Sequence, residues 1–245
     1  MLLEFGARNF VSFKEGFAGS LELNGNCPNN ISKGKRTANI MGIKGANASG
    51  KTNVLRALSF IRYICTDSYN SAPKSEIPFE NFFENTDPTD FFCRFAINGK
   101  NYLYEISLDK NKIISEELSF DATEHFIFKR QFDKLDSVDK DFEELNQIRI
   151  RSNVSVIHSA KQGEFHSTDS FFAFFEKILS NVTDYGLSNF HLDQSVICEN
   201  YKNNPERFVN VKNILKNADT GIVDVKIARS LSPIGKTQYH PVFFH

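Results

Sequence analysis

The chain has no tryptophan, and only two methionines, seven prolines and four cysteines among 245 residues. Cys27, Cys65, Cys93 and Cys198 are scattered, with no C-x-x-C pair. That spacing supplies neither the close ligand pairs of a zinc site nor a dense disulfide framework, so reduced thiols are expected. Long apolar runs are also missing: none approaches the roughly 20 residues that span a bilayer. The opening Met1-Leu2-Leu3-Glu4-Phe5 lacks the cationic stretch and long apolar segment of a secretory signal. A cytoplasmic chain with no membrane partner is the expectation. An excess of one charge is absent too, since 29 Lys+Arg face 30 Asp+Glu for a net charge of −1. This argues against a strongly basic nucleic-acid module and an acidic tail, and leaves room only for local patches.

What is abundant is phenylalanine, with 25, and asparagine, with 24. A coding bias toward AT-rich codons accounts for both, so the phenylalanines read first as core material. A domain of this class usually needs roughly 100–200 residues. At this length folding buries roughly 70–75% of the unfolded surface, enough to dispense with staples.

Along the chain, residues 2–5, 10–13 and 21–23 are short apolar stretches suited to strands. Residues 24–35 are rich in Asn, Gly, Pro and Lys, which is loop chemistry. Ile40-Met41-Gly42-Ile43 reads as a brief buried strand. From Lys51 to about Cys65, Val54, Leu55, Leu58, Ile61, Ile64 and Cys65 recur at three- and four-residue spacing, which predicts an amphipathic helix. Residues 67–90, with three prolines, read as irregular.

Residues 91–130 carry the strongest β pattern. Phe91 to Ile97 runs into Asn98-Gly99, a pair suited to a type I′ turn. Tyr102, Tyr104, Ile106 and Leu108 then alternate on one face. Asp109 to Lys112 is a second turn, and Ile113 to Phe120 and Phe126 to Phe128 are further strands, making an antiparallel meander. Residues 133–146 read as a polar helix or loop, and Val154 to Ile157 as a strand. A Phe-rich helix is expected from Thr168 to Val182, and Asn204-Pro205 should start another with a stripe of Phe208, Val211, Ile214 and Leu215. Ile222 to Ile227 should return as a strand.

One motif carries chemistry. Gly45-Ala46-Asn47-Ala48-Ser49-Gly50-Lys51-Thr52 fits G-x-x-x-x-G-K-[ST] in full. The glycines let successive N–H groups turn inward toward phosphate oxygens. Lys51 places a point charge near the β- and γ-phosphates, and the Thr52 hydroxyl is suited to Mg²⁺. A helix starting at Lys51 aims the positive end of its dipole at the anion. A GTPase would also carry N-K-x-D, and Asn111-Lys112 is followed by Ile113-Ile114.

Leu3 to Phe13, with Asn9-Phe10-Val11-Ser12-Phe13, together with Gly45 to Leu55, resembles the start of an ABC-type ATPase head. The likeness is to RecF/SMC-like proteins and, within them, to abortive-infection ATPases allied to the OLD proteins. Asn47 and Asn53 distinguish this loop from generic ones, so the resemblance implies a nucleotide site of Gly45, Asn47, Ser49, Gly50, Lys51, Thr52 and Asn53. Tyr102-Leu103-Tyr104, Ile113 to Leu118 and Asn217 to Ile222 are also similar to the family. The implied cofactors are ATP and Mg²⁺. The implied partners are a second copy or a chain carrying the rest of the head, and DNA or a nuclease. Phage defence is the implied setting.

The departures are informative. Val11 stands where the family usually has Arg, and Lys44 where an aromatic is common. Ile222-Val223-Asp224-Val225 has too short an apolar lead and no second acid for a Walker B strand. Leu231 to Gly235 has the outline of a signature loop, but Pro233 and Ile234 replace the small residues that let backbone approach phosphate. The chain therefore reads as the N-terminal half of a head, as a fragment, a truncated product or a split subunit. A half-head should leave a strand edge or apolar face uncovered, which predicts dimerisation or poor solubility.

Other residues have two readings each. Phe10 or Phe13 could stack on a base or fill the core. Gln162, ahead of Gln131 and Gln147, is the candidate for a glutamine that senses Mg²⁺ and the attacking water, or is a solvated loop residue. His158 and His166 lack a carboxylate at helical spacing. Arg149-Ile150-Arg151 and Lys33 to Arg36 are small basic clusters that could meet a DNA backbone or simply face water.

The expected fold is α/β, a P-loop head spanning 1–245 with a mixed sheet around the loop strand. It has an antiparallel lobe at 91–130, and helical segments over 165–227 that lead to a returning strand. The expected function is ATP-Mg²⁺ binding within an ABC-type ATPase. The alternatives are a nucleotide-binding interaction module that does not hydrolyse ATP and, more distantly, a small-molecule kinase.

Overall fold

The computed structural model describes residues 1–121, 123, 125–183, 186–187, 194–218, 220–231, 235 and 237–245. Two compact units are present, 1–188 and 189–245.

The first unit is α/β and is built on one sheet. Its strands are β1 (Leu2–Arg8), β2 (Phe17–Ser20), β3 (Thr89–Ile97), β4 (Lys100–Leu108), β5 (Ile113–Phe120), β6 (Phe126–Gln131) and β7 (Lys134–Val138). They lie in the order β2-β1-β3-β4-β5-β6-β7, and each neighbouring pair is antiparallel. The helices are the short α1 (Asn29–Ser32), then α2 (Lys51–Thr66), α3 (Val156–Gln162) and α4 (Asp169–Glu176). A two-stranded pair, β8 (Val182–Thr183) and β9 (Gly186–Leu187), completes the unit.

The meander forms as its pattern requires. Asn98 and Gly99 both sit at positive φ, 51° and 80°, which matches the type I′ turn and the right-handed strand twist. Tyr102, Tyr104, Ile106 and Leu108 are all buried. They meet α2, which buries Ala57, Phe60, Ile61, Ile64 and Cys65, and α4, which buries Phe171 and Phe175. Phe95 is sealed among Tyr102, Phe171, Phe174 and Phe175, stacked on Phe174 with centroids 4.3 Å apart. Burial pushes the Cys65 and Cys93 thiols up, and all four cysteines are free.

Two bulges redirect the pattern. Ser107 pairs with Ser115 but Leu108 with Ile113, so Ile114 is the extra residue. Beyond it Glu116 and Leu118, not Ser115 and Glu117, face the helices, because a one-residue slip exchanges the faces of a strand. A second bulge at Ile127 buries both Ile127 and Phe128.

Glu116 is thus a carboxylate inside the core, where it would be costly unless bonded. Arg130 Nη1 donates to it at 3.2 Å, Tyr104 Oη at 3.1 Å and the Val156 N–H at 2.9 Å. Arg130 also donates to the carbonyls of Val154 and Arg151, at 2.6 and 2.8 Å. Burial pushes the Glu116 carboxyl up, against the pull of Arg130 and these donors. The network ties β4, β5 and β6 to the start of α3.

Several sequence expectations are corrected. Residues 154–157 are not a strand: Ser155 caps α3 by accepting the His158 N–H at 3.0 Å. Residues 134–138 are a strand rather than a helix or loop. The Phe-rich helix is confined to α4. Phe10 to Phe13 is a tight turn, and β2 occupies the four residues just before the 21–23 stretch. Residues 40–43 do not form a strand, and Ile40 is 87% exposed. They have no partner strand among the described residues, and a lone extended segment has no ladder to hold it.

The second unit contains α5 (Gln194–Asn203), α6 (Pro205–Asn217) and a hairpin of β10 (Asp224–Leu231) and β11 (Thr237–Phe244). Asn204 precedes Pro205 at the first turn of α6 as expected, but its side chain makes no cap bond. The α6 stripe is only half covered, and Ile214 is exposed. Lys202 Nζ donates to Tyr239 Oη at 2.8 Å, and Lys212 pairs with Asp224 at 2.9 Å. The outlined signature segment falls largely at 232–234, outside the described residues.

Candidate functional site

Gly45 to Gly50 form an exposed loop that runs directly into α2. Ala48 and Gly50 take left-handed conformations, with φ 62° and 87°. These reversals wind the loop tightly ahead of the helix. Gly50 is obligatory for a further reason: a Cβ there would lie 2.6 Å from Ser12 Oγ and 3.0 Å from Phe13 Cζ. At Gly45 a Cβ would lie 2.7 Å from Ser49 Oγ. Lys51 folds back over the loop, and its Nζ donates to the Gly45 and Ala46 carbonyls at 2.9 and 2.5 Å.

The start of α2 has the chemistry of an anion site. Its N-cap is a glycine, no side chain caps it, and its first turn holds no acid. The first N–H groups of a helix have no partner within it, and its dipole there is positive. With Lys51 beside them and Thr52 exposed in the same turn, these residues fit a phosphate group and an accompanying Mg²⁺. Asn53 is held by two neighbours: its Nδ2 donates to Ser12 Oγ at 2.9 Å, and its Oδ1 accepts from Arg56 Nη1 at 3.4 Å.

The seven residues expected to hold nucleotide are therefore contiguous around one helix start. Asn47 and Ser49 are exposed on the loop. Gln162 ends α3, is exposed, and shares no hydrogen bond with the loop among the described residues. Phe10 is fully buried against Phe91, which assigns it to the core. Phe13 is half-buried against Phe17 and borders Gly50. What the sequence did not show is that the Asn9–Phe13 turn touches the loop, because those residues lie about 40 positions upstream. The shared motif context of Ser12 and Asn53 was the available signal.

A groove of about 720 Å³ lies elsewhere, on the sheet face away from the helices, among Arg8, Glu15, Asp90, Phe92, Glu105 and Glu117. Burial and the charges of Glu117 and Asp90 push the Glu105 carboxyl up. Four carboxylates against one arginine repel a phosphate, so this groove is not a rival nucleotide site. Asp224, the acid with the short apolar lead, is committed to Lys212 and Lys216, and Lys212 holds its carboxyl below the usual range. No helix of the described residues is long and apolar enough to cross a membrane.

No curated protein matches the chain. A family model described as AbiEii toxin-like AAA domain, Type IV TA system, matches residues 40–208. That span begins five residues before Gly45, contains the whole loop and α2, and covers more than half of the chain. On these grounds the chain belongs to the AbiEii toxin-like AAA domain family, a family of nucleotide-binding ATPase type.

Proposed function

We propose that this chain binds ATP-Mg²⁺ through Gly45–Thr52, as the nucleotide-binding part of an ABC-type, SMC/RecF-like ATPase. The observation that carries the reading is the uncapped, acid-free start of α2, with Lys51 folded across a loop wound by Ala48 and Gly50. Backbone N–H groups and Lys51 would hold the β- and γ-phosphates, and Thr52 would supply a ligand to Mg²⁺. Bound Mg²⁺ would neutralise charge between the phosphates. Asn53 orients the first turn through Ser12, and the glycines leave room for Ser12 and Phe13 against Gly50 and for Ser49 against Gly45.

The biological setting that fits is an abortive-infection or toxin–antitoxin system in the cytoplasm. There an ATP-gated dimer, or a pairing with a chain bearing signature and Walker B motifs, would act with DNA or a nuclease. Calorimetric titration with ATP-Mg²⁺ tests the binding step. Saturable binding lost in Lys51→Ala is the expected result, and no binding at millimolar ATP would sink the reading.

A second reading has its own support. Asp224 is tied up by two lysines, and Val225 rather than a second acid follows it, so this acid is not set to orient a hydrolytic water. The chain would then bind ATP without turning it over. Phosphate release by the chain alone, abolished in Lys51→Ala, would exclude this reading.

A further inference from the structure

Two residues with disfavoured backbone conformations, together with an asparagine in the left-handed region, lie in one connected patch beside the loop. Asn9 and Val11 have φ of 56° and 47°, and Phe83 has φ of 44°. Positive φ is a genuine outlier for a β-branched or bulky residue, and it persists only where the surroundings over-determine it. Here the surroundings act from two sides.

On one side is the phosphate loop. Ser12 Oγ accepts from Asn53 Nδ2, and Ser12 and Phe13 occupy the space above Gly50. On the other side is the segment 80–89. The Val11 N–H donates to the Glu80 carbonyl at 3.0 Å, and the Phe82 N–H to the Asn9 carbonyl at 3.4 Å. Asn9 and Asn85 exchange side-chain hydrogen bonds at 2.8 and 2.6 Å. Thr89 Oγ1 donates to the Asn9 carbonyl, and Asn9 Nδ2 to that of Asp87, both at 2.8 Å. Asn9 is itself buried, with its side-chain amide fully engaged. The segment ends outward in Phe83, which is 83% exposed and touches Phe82 edge-on. A large aromatic ring held in water on a strained backbone gains nothing from the segment that carries it.

We propose that the Asn9–Phe13 turn couples occupancy of Gly45–Thr52 to the segment 80–89, so that the display of Phe83 follows the state of the nucleotide loop. The proposal rests on the nucleotide reading above. A phosphate that draws Lys51 off the Gly45 and Ala46 carbonyls re-seats the loop beside Gly50 and Asn53. Ser12 and Phe13 already sit against Gly50 without slack, so they move with it. The strained dihedral of Val11 gives the turn a nearby relaxed alternative, which is what a two-state element requires. The hydrogen bonds of Asn9 and Val11 then carry the change to residues 80–89.

The absence of tryptophan makes the test direct. Phe83→Trp introduces the sole tryptophan at an exposed position, read by excitation beyond the absorption of the seven tyrosines. Phe132→Trp is the control, since Phe132 is also exposed at positive φ but lies in the β6–β7 turn at the far edge of the sheet. ATP-Mg²⁺ is expected to shift emission from Phe83→Trp and not from Phe132→Trp. Adding Asn85→Ala should remove the shift while calorimetric ATP binding is retained. In the unsubstituted chain, ATP should slow hydrogen exchange at the Val11 and Phe82 amides. Calorimetric binding with no change in either the Phe83→Trp signal or exchange over 80–89 overturns the coupling alone, as does an equal shift from Phe132→Trp. No calorimetric binding overturns the nucleotide reading and the coupling with it.

Discussion

The meander and the Gly45–Gly50 loop share one unit of this chain and are built in opposite ways. In the meander, Phe95, Tyr104, Ile106, Leu108, Ile113 and Leu118 are sealed from water, and every strand has a partner except at the sheet edges. In the loop, Gly45 to Ser49 are exposed, no strand precedes them, and the lysine is held by the loop's own carbonyls. The contrast separates stability from ligand chemistry. Burial and paired backbone hold the fold, while the loop is exposed and its lysine is held only by the loop's own carbonyls. Substitutions should therefore sort cleanly between the two regions.

The largest effect should come from Glu116→Ala, which leaves Arg130 charged and buried without its carboxylate. Urea unfolding is expected to show a loss of about 3–5 kcal/mol, in line with removing one member of a buried pair. A loss within experimental error would mean that the core network is not what anchors α3. Phe95→Ala should cost about 3–5 kcal/mol as well, by emptying a site lined by four aromatic rings. Both variants test whether the meander is the mechanical base of the unit.

A pH effect follows next. His158 is buried, its Nδ1 accepts the Tyr69 N–H at 2.9 Å, and burial lowers its pKa from 6.5 to about 4, partly offset by Asp67. Its native form is neutral, so between these values the unfolded chain binds the extra proton. The contribution of His158 to stability is thus whole above pH 6.5 and declines as the pH falls toward about 4. His158→Gln should flatten that decline in a series of thermal melts, and an unchanged slope would remove His158 as its cause.

Gly99→Ala should be milder, at about 1–2 kcal/mol, because a side chain at φ 80° is strained although the space around it is open. The smallest stability effect belongs to the loop. Lys51→Ala should shift the urea midpoint by no more than about 0.5 kcal/mol in stability, the range of surface substitutions, while abolishing ATP-Mg²⁺ binding. A large destabilisation by Lys51→Ala would break the division between the two regions.

Much of this was legible in one dimension because the relevant physics is local. The hairpin at Asn98-Gly99 depends on two residues that tolerate positive φ. The helix α2 follows from apolar spacing and was placed to within one residue. The segment Gly45–Asn53 is a contiguous pattern, so its seven candidate residues could be named without a fold. Residues 154–157 misled because Val154-Ser155-Val156-Ile157 alternates like a strand, whereas Ser155 caps a helix whose first turn is buried. Residues 40–43 misled because apolar character alone does not supply a neighbouring strand.

The sequence by itself determined the elements whose causes lie within a few residues: the meander turns, the amphipathic helix and the glycine-rich pattern that leads into it. Tertiary structure alone decided which faces those elements present and what they touch. The bulge at Ile114 turned Glu116 inward, and the partners that make this tolerable, Arg130 and Val156, come from 14 and 40 residues away. The Asn9–Phe13 turn met Gly50 and Asn53 only because the sheet and α2 brought them together. The missing tryptophan, first an absence that excluded nothing, leaves the chain open to a single tryptophan reporter that tests what this contact transmits.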